Sequence, residues 1–239
     1  MADGSRTASV EELRQEAIQL GPWHIEIYIT PELSTRATLE AASPPGADPE
    51  FKGMSFQSPG PGFIRKMKRI FPNGLEGRSV MDCACNCGAY LLWCKELGAG
   101  DCYGFDAREH WIHQARFLAE HRGQTDGVRF EVHDLYDLDD VDPGRFDVTL
   151  FNGIFYHLPD PVTGLKLAAD RTDELLIVNT ATRLGMPDGA LVAAKESPGR
   201  AMSGVHGLNW FPSGPRVMER ILEWMGYAEI RCSRWRVSV

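Results

Sequence analysis

Hydrophobic and polar positions alternate along this chain with two different periods, and the switches between them predict most of its elements. Val10, Leu13 and Ala17 mark one helical face. Ser9 and Glu12 have the S-x-x-E spacing of a capping box at its start, and Gly21-Pro22 stops it. Trp23, Ile25, Ile27 and Ile29 then alternate with His24, Glu26 and Tyr28, which predicts a strand with one polar face. Over 42–62, Pro44, Pro45, Gly46, Pro49, Gly53 and Pro59 to Gly62 punctuate the chain. They predict a loop between an N-terminal extension, 1–61, and a main domain, 62–239. Phe63, Ile64, Met67, Ile70 and Phe71 share the next helical face. Arg65, Lys66, Lys68 and Arg69 take the rest of that helix, as a solvated face or an anion contact.

From Arg78 onward, short apolar runs alternate with longer helical patterns. Strands are predicted over 79–83, 102–105, 128–133, 146–151 and 175–178. Helices are predicted over 89–97, 109–121 and 162–169, and a last one through Val217, Met218, Ile221, Leu222 and Met225. Segments 228–232 and 235–239 complete a seven-strand count. Strands alternating with helices predict a doubly wound, Rossmann-like α/β domain with a mostly parallel sheet, preceded by a helix/strand extension.

Composition narrows the class. The formal net charge of −8 disfavours a protein built to grip nucleic-acid phosphates, which takes Lys and Arg. No run of about 18 apolar residues is present, so no membrane span is expected. The first residues, MADGSRTASVEEL, lack the apolar core of a signal peptide. Cys83, Cys85, Cys87, Cys94, Cys102 and Cys232 are read as reduced thiols, which makes the cytoplasm the expected compartment.

In open α/β sheets, ligands bind beyond the C-terminal strand ends, and the informative residues stand there. The first strand of the main domain runs into Asp82-Cys83-Ala84-Cys85-Asn86-Cys87-Gly88, whose small side chains let backbone approach a ligand. The second ends in Asp106, a carboxylate able to accept both hydroxyls of a ribose. The third ends at Asp134-Leu135 and the fourth at Asn152-Gly153. VMDCACNCGAY resembles the first motif of the class I S-adenosylmethionine-dependent methyltransferases, D-x-G-x-G-x-G. FDVTLFNGIFYHLPDP resembles their fourth-strand motif. The resemblance covers roughly 62–239. It implies S-adenosyl-L-methionine as cofactor: Asp82, Ala84, Asn86 and Gly88 around its amino-acid part, Asp106 on the ribose, Asp134 and Leu135 beside the adenine, and Asn152 at the methionine end. Ala84 and Asn86 stand where that family usually has glycine. A dinucleotide fingerprint needs both of those glycines for its pyrophosphate turn.

A longer-range order, GPWHIEI, then the core, YHLPDP and NWFPS, resembles the tRNA wobble-uridine carboxymethyltransferases and their small-molecule relatives, among them sugar O-methyltransferases. The carboxylated cofactor of the tRNA enzymes calls for cationic side chains. Val205-His206-Gly207-Leu208, just ahead of NWFPS, has no Arg. The expectation is an O-methyltransferase for a small hydroxylated acceptor, with a sugar favoured. The alternatives are a tRNA-modifying enzyme and a catalytically silent cofactor-binding scaffold. Removing a hydroxyl proton calls for a base, and histidine suits it near neutral pH. His157 and His206 are the candidates; His24, Glu26, Tyr156, Asn209 and Trp210 are the expected substrate contacts. A divalent metal polarising the acceptor is an open variant with no ligands assigned, and a homo-oligomer is compatible with the sequence.

Overall fold

The computed structural model describes residues 8–38 and 56–232, apart from 184, 198, 200 and 201. Most of the predicted linker, 42–55, and the predicted strand over 235–239 lie outside the described residues.

Helix α1, Val10–Gln19, begins at Ser9 with the capping box reciprocally formed, and buries Leu13 and Ala17. The following segment keeps its alternation in burial: Trp23, Ile25, Ile27 and Ile29 are all buried. It is a strand only over its end, β1, Tyr28–Thr30, paired antiparallel with β2, Leu33–Ser34. Ahead of β1 the backbone meets Gln57 in a single parallel bridge at Ile25 and is also held by the side chain of Thr35. Its Oγ1 donates to Ile25 O at 2.7 Å and accepts Ile27 N–H at 3.1 Å. The expected polar face is also incomplete, since His24 is buried.

Helix α2, Gly60–Ile70, buries Phe63 and Met67 and leaves Arg65, Lys66, Lys68 and Arg69 exposed. Five parallel strands follow: β3, Val80–Cys83; β4, Cys102–Asp106; β5, Val128–Val132; β6, Phe146–Asn152; and β7, Thr172–Asn179. They lie in the order β5-β4-β3-β6-β7. Helices α3, Ala89–Glu96, α4, Glu109–His121, the short α5, Leu138–Val141, and α6, Pro161–Ala169, connect them. Alternate strand residues feed two cores, as expected where helices cover both faces. Val80 and Leu150 join one core with α3 and α4, while Met81 and Phe151 join the other with α6. Trp23 of the extension packs into the first core and stands 6.1 Å, ring to ring, from Phe117 of α4.

The doubly wound α/β reading holds, but the sheet of the described residues has five strands where seven were expected. Residues 228–232 follow α7, Pro215–Trp224, without entering a ladder. An apolar run becomes a strand only where a partner edge meets it. The segment ahead of α7, for which no strand was predicted, holds an antiparallel pair, β8, Leu191–Lys195, with β9, Leu208–Pro212.

Candidate cofactor and acceptor site

Chain order reverses between β3, which continues to β4, and β6, which lies on its other side. That reversal opens a crevice beyond the strand ends, and one large cavity occupies it. Asp82, Ala84, Asn86, Asp106, Asn152 and His157 line it. So do Asp134, Leu135, Tyr156, His206 and, from the extension, His24.

The turn after β3 is wound left-handed at every second residue: Ala84 has φ 55°, Asn86 φ 51° and Gly88 φ 72°. These are the three positions where the resembling motif carries glycine. An alanine there costs about 1–2 kcal/mol, and asparagine tolerates the region better. Hydrogen bonds hold the turn in place. Cys85 N–H donates to Phe105 O at 2.8 Å, and Asn86 Oδ1 accepts Cys87 N–H at 2.8 Å. Glycine is required at 88, because a Cβ there would meet the Phe130 ring at 2.6 Å. Gly88 therefore shapes the turn from behind and does not line the cavity.

Two carboxylates dominate the electrostatics. Asp106 accepts Asn86 N–H on Oδ2 and Arg108 N–H on Oδ1, each at 3.0 Å. Burial pushes its pKa up to about 6 against the pull of those two donors. Asp82 is buried, and burial together with Asp106 raises its pKa well above the carboxylate range. Its Oδ2 has no hydrogen-bond partner among the described residues. A ligand with a cationic or N–H-bearing group would satisfy it, and the free lone pairs of Asp106 would take hydroxyls. The residues thus fit S-adenosylmethionine, with its ammonium, sulfonium and ribose.

Asp134 caps a 3₁₀ turn, its Oδ1 accepting Tyr136 N–H at 3.0 Å, and its Oδ2 pairs with His206 Nε2 at 2.9 Å. The loop between β8 and β9 crosses the crevice here. Ser203 O in this loop accepts Arg108 Nη2 at 2.9 Å. The structure sets His206 in the cavity lining, paired with Asp134.

The turn Phe155–His157 carries Tyr156 and His157. Nδ1 of His157 lies 2.8 and 3.1 Å from the two carboxylate oxygens of Glu196, with both side chains mostly buried. Tyr156 stacks on Phe211, ring centroids 5.7 Å apart. Sequence reasoning missed Glu196 and Arg108. Glu196 lies 39 residues from its histidine, in a segment that reads as an ordinary charged turn.

Three expected substrate contacts stand elsewhere. Glu26 is bound bidentately by Arg36 at 2.7 and 2.8 Å and takes the Ser58 hydroxyl, outside the cavity lining. Asn209 is buried in β9, and Trp210 donates its indole N–H to Pro159 O at 2.9 Å. Neither lines the cavity. Among the described residues, no three His, Cys, Asp or Glu side chains gather as metal ligands. Cys85 and Cys87 are buried, and burial raises both thiols, Cys87 to about 12.

The chain is 39% identical to a tRNA U34 carboxymethyltransferase of Campylobacter hominis over 92 residues, covering 38% of this chain and 31% of that protein. It is 25% identical to the enzyme of that name from Pseudomonas fluorescens over 171 residues, covering 70% of this chain and 51% of that one. The chain thus spans between about a third and a half of the length of these curated relatives. The N-terminal domain of EvdMO1, crystallised with SAH and D-fucose, has a similar fold. Its TM-score is 0.70 at 21% identity, over 99% of this chain and 94% of that one. Residues 75–224 match the family described as "Methyltransferase domain". With that match over most of its length, on a five-stranded parallel sheet with an acidic crevice at its switch point, the chain belongs to the class I S-adenosylmethionine-dependent methyltransferase family.

Proposed function

We propose that this chain transfers a methyl group from S-adenosylmethionine to a hydroxyl of a small acceptor, with a sugar or glycosylated metabolite favoured. When bound, the cofactor supplies a methyl group on a positively charged sulfur, so that the acceptor oxygen bonds to carbon as the carbon–sulfur pair returns to sulfur. The chain's own part is to bind, align and deprotonate. Asp106 takes the ribose hydroxyls, Asp82 faces the amino-acid end, and Asp134 with Leu135 borders the adenine. The turn around Ala84 and Asn86 brings backbone close to the ligand, and Asn152 stands at the methyl-bearing end. Tyr156 and His24 border the acceptor space.

The observation that carries the hydroxyl reading is His157. It lines the cavity next to Tyr156 and is held from behind by a buried carboxylate. An acceptor that ionises readily would need no such base. The EvdMO1 domain, of similar fold, was crystallised in the presence of D-fucose, which favours a sugar.

A second reading is modification of tRNA, and the names of the curated relatives back it more directly than they back a sugar. Arg65, Lys66, Lys68 and Arg69 also form an exposed cationic face on α2 in a chain of net charge −8. One experiment separates the readings. Calorimetry with S-adenosylmethionine and its demethylated product establishes cofactor binding, and methyl transfer is then screened on free sugars, glycosides and unmodified tRNA. Turnover on a sugar hydroxyl supports the proposal. Turnover on tRNA, with binding that weakens steeply as salt rises, overturns it in favour of the second reading. Cofactor binding without turnover on any of these acceptors leaves the silent scaffold reading.

A further inference from the structure

We infer that Glu196 is the positioning residue that makes His157 a base with its reactive nitrogen at Nε2. The inference rests on the acceptor reading above and extends it to the hydrogen-bonded group behind the histidine.

The geometry fixes the tautomer. Nδ1 of His157 stands 2.8 and 3.1 Å from the oxygens of Glu196. An unprotonated Nδ1 would place two acceptors face to face at hydrogen-bond distance, so Nδ1 carries the proton and donates it. Gly204 N–H lies 3.1 Å from Nδ1 and 3.0 Å from Glu196 Oε2. With Nδ1 protonated, that N–H goes to the carboxylate. In the neutral ring the lone pair therefore sits on Nε2, for which the described residues provide no partner. His157 lines the cavity, whereas Glu196, on the Nδ1 side, does not.

Burial makes the arrangement selective. The side chains of His157 and Glu196 are 17% and 10% exposed, so their interaction is weakly screened by water. The charged and titratable groups facing the ring are Glu196 and the Tyr156 phenol, whose ring centroid is 4.1 Å away. When the acceptor oxygen forms its bond to the methyl carbon, the hydroxyl proton passes to Nε2. The resulting imidazolium keeps its Nδ1–H on Glu196, and the proton then leaves to solvent. Glu196 stabilises that cation and prevents the ring from turning over.

The packing around the pair is close. A Cβ on Gly204 would lie 2.5 Å from His157 O and 2.8 Å from His157 Cβ. The β8–β9 loop thus seats its backbone on the histidine through a glycine. β8 pairs with β9, whose residues pack against the turn that carries His157, and this helps bring together two residues far apart in sequence.

The test uses the full chain with its demethylated cofactor bound, and nitrogen-15 NMR of the histidine side chains, with the His157 signal assigned by loss in His157→Ala. The expected wild-type signature is a neutral Nδ1–H tautomer. Glu196→Gln keeps an acceptor for Nδ1–H, so the tautomer stays, whereas Glu196→Ala removes the acceptor and the Nε2–H form appears. Glu196→Asp retains a carboxylate and keeps the Nδ1–H form in part. On an acceptor found by the screen, kcat falls about tenfold or more in Glu196→Ala while KM stays within about twofold. A wild-type Nε2–H tautomer, or an Nδ1–H tautomer undiminished in Glu196→Ala, overturns the inference. Should Glu196→Ala not fold, the wild-type tautomer and Glu196→Asp still decide it. Binding of the demethylated cofactor, measured on the same samples, reports the cofactor reading separately.

Discussion

Asn86 donates its backbone N–H to Oδ2 of Asp106 at 3.0 Å, tying the turn after β3 to the end of β4. Asp106 reaches the same distance to Arg108 N–H with its other oxygen, so one carboxylate braces the crevice on both sides. Asp106 thus orders the crevice and keeps lone pairs for a diol.

Replacing Asp106 by Ala is expected to weaken S-adenosylmethionine binding by about 10- to 100-fold, the loss of hydrogen bonds to a charged acceptor worth about 1.5–3 kcal/mol. Asp106→Asn retains one acceptor oxygen and is expected to fall between. Calorimetric affinity that does not change in Asp106→Ala would put the ribose elsewhere.

The turn itself can be tested by stability. At Ala84, with φ 55°, Ala84→Gly relieves a left-handed alanine and is expected to raise stability by about 0.5–1 kcal/mol. Gly88→Ala forces a Cβ to within 2.6 Å of Phe130 at φ 72°. Its expected cost is about 2–4 kcal/mol, from overpacking added to backbone strain. Denaturant midpoints of the two variants should move in opposite directions, and a stabilised Gly88→Ala would contradict the turn geometry.

Asp106 also sets a pH dependence. Its pKa in the folded chain is about 6, above the ordinary 3.8, because burial penalises the charged form. Between those values the native state holds a proton that the unfolded chain has released. The contribution to stability is therefore whole below about pH 3.8 and lost as pH rises through about 6. The shift of about two units corresponds to about 3 kcal/mol. Cationic cofactor binding favours the ionised form, so affinity should rise over the same window, with proton release at pH 5–6. Calorimetry in buffers of different ionisation enthalpy measures that release; proton uptake would refute the assignment.

The pairing of His206 with Asp134 is half-open to water, at 31% and 23% side-chain exposure. Such a pair contributes less than about 1 kcal/mol. His206→Ala is therefore expected to change cofactor affinity by less than about fivefold. A loss of a hundredfold or more would make His206 a principal cofactor ligand.

The sequence by itself determined what depends on local order. The strand–turn–helix alternation, the capping box at Ser9, and the acidic residues at the ends of β3, β4 and β5 are all contiguous signals. A strand end in a parallel sheet is a functional address, so Asp82, Asp106, Asp134 and Asn152 could be placed at the crevice before any coordinates. The tertiary structure decided whatever joins segments far apart in the chain. The β8–β9 pairing made strands where none was predicted, took up Asn209 and Trp210, and brought Glu196 to His157. Thr35 took the Ile25 carbonyl and the Ile27 N–H, Gln57 met the strand at Ile25, and Arg36 took Glu26. The physical reason is common to all of these. Helix periodicity and turn chemistry act over a few residues, whereas a strand's existence and a carboxylate's partner depend on which distant surface the fold presents to them.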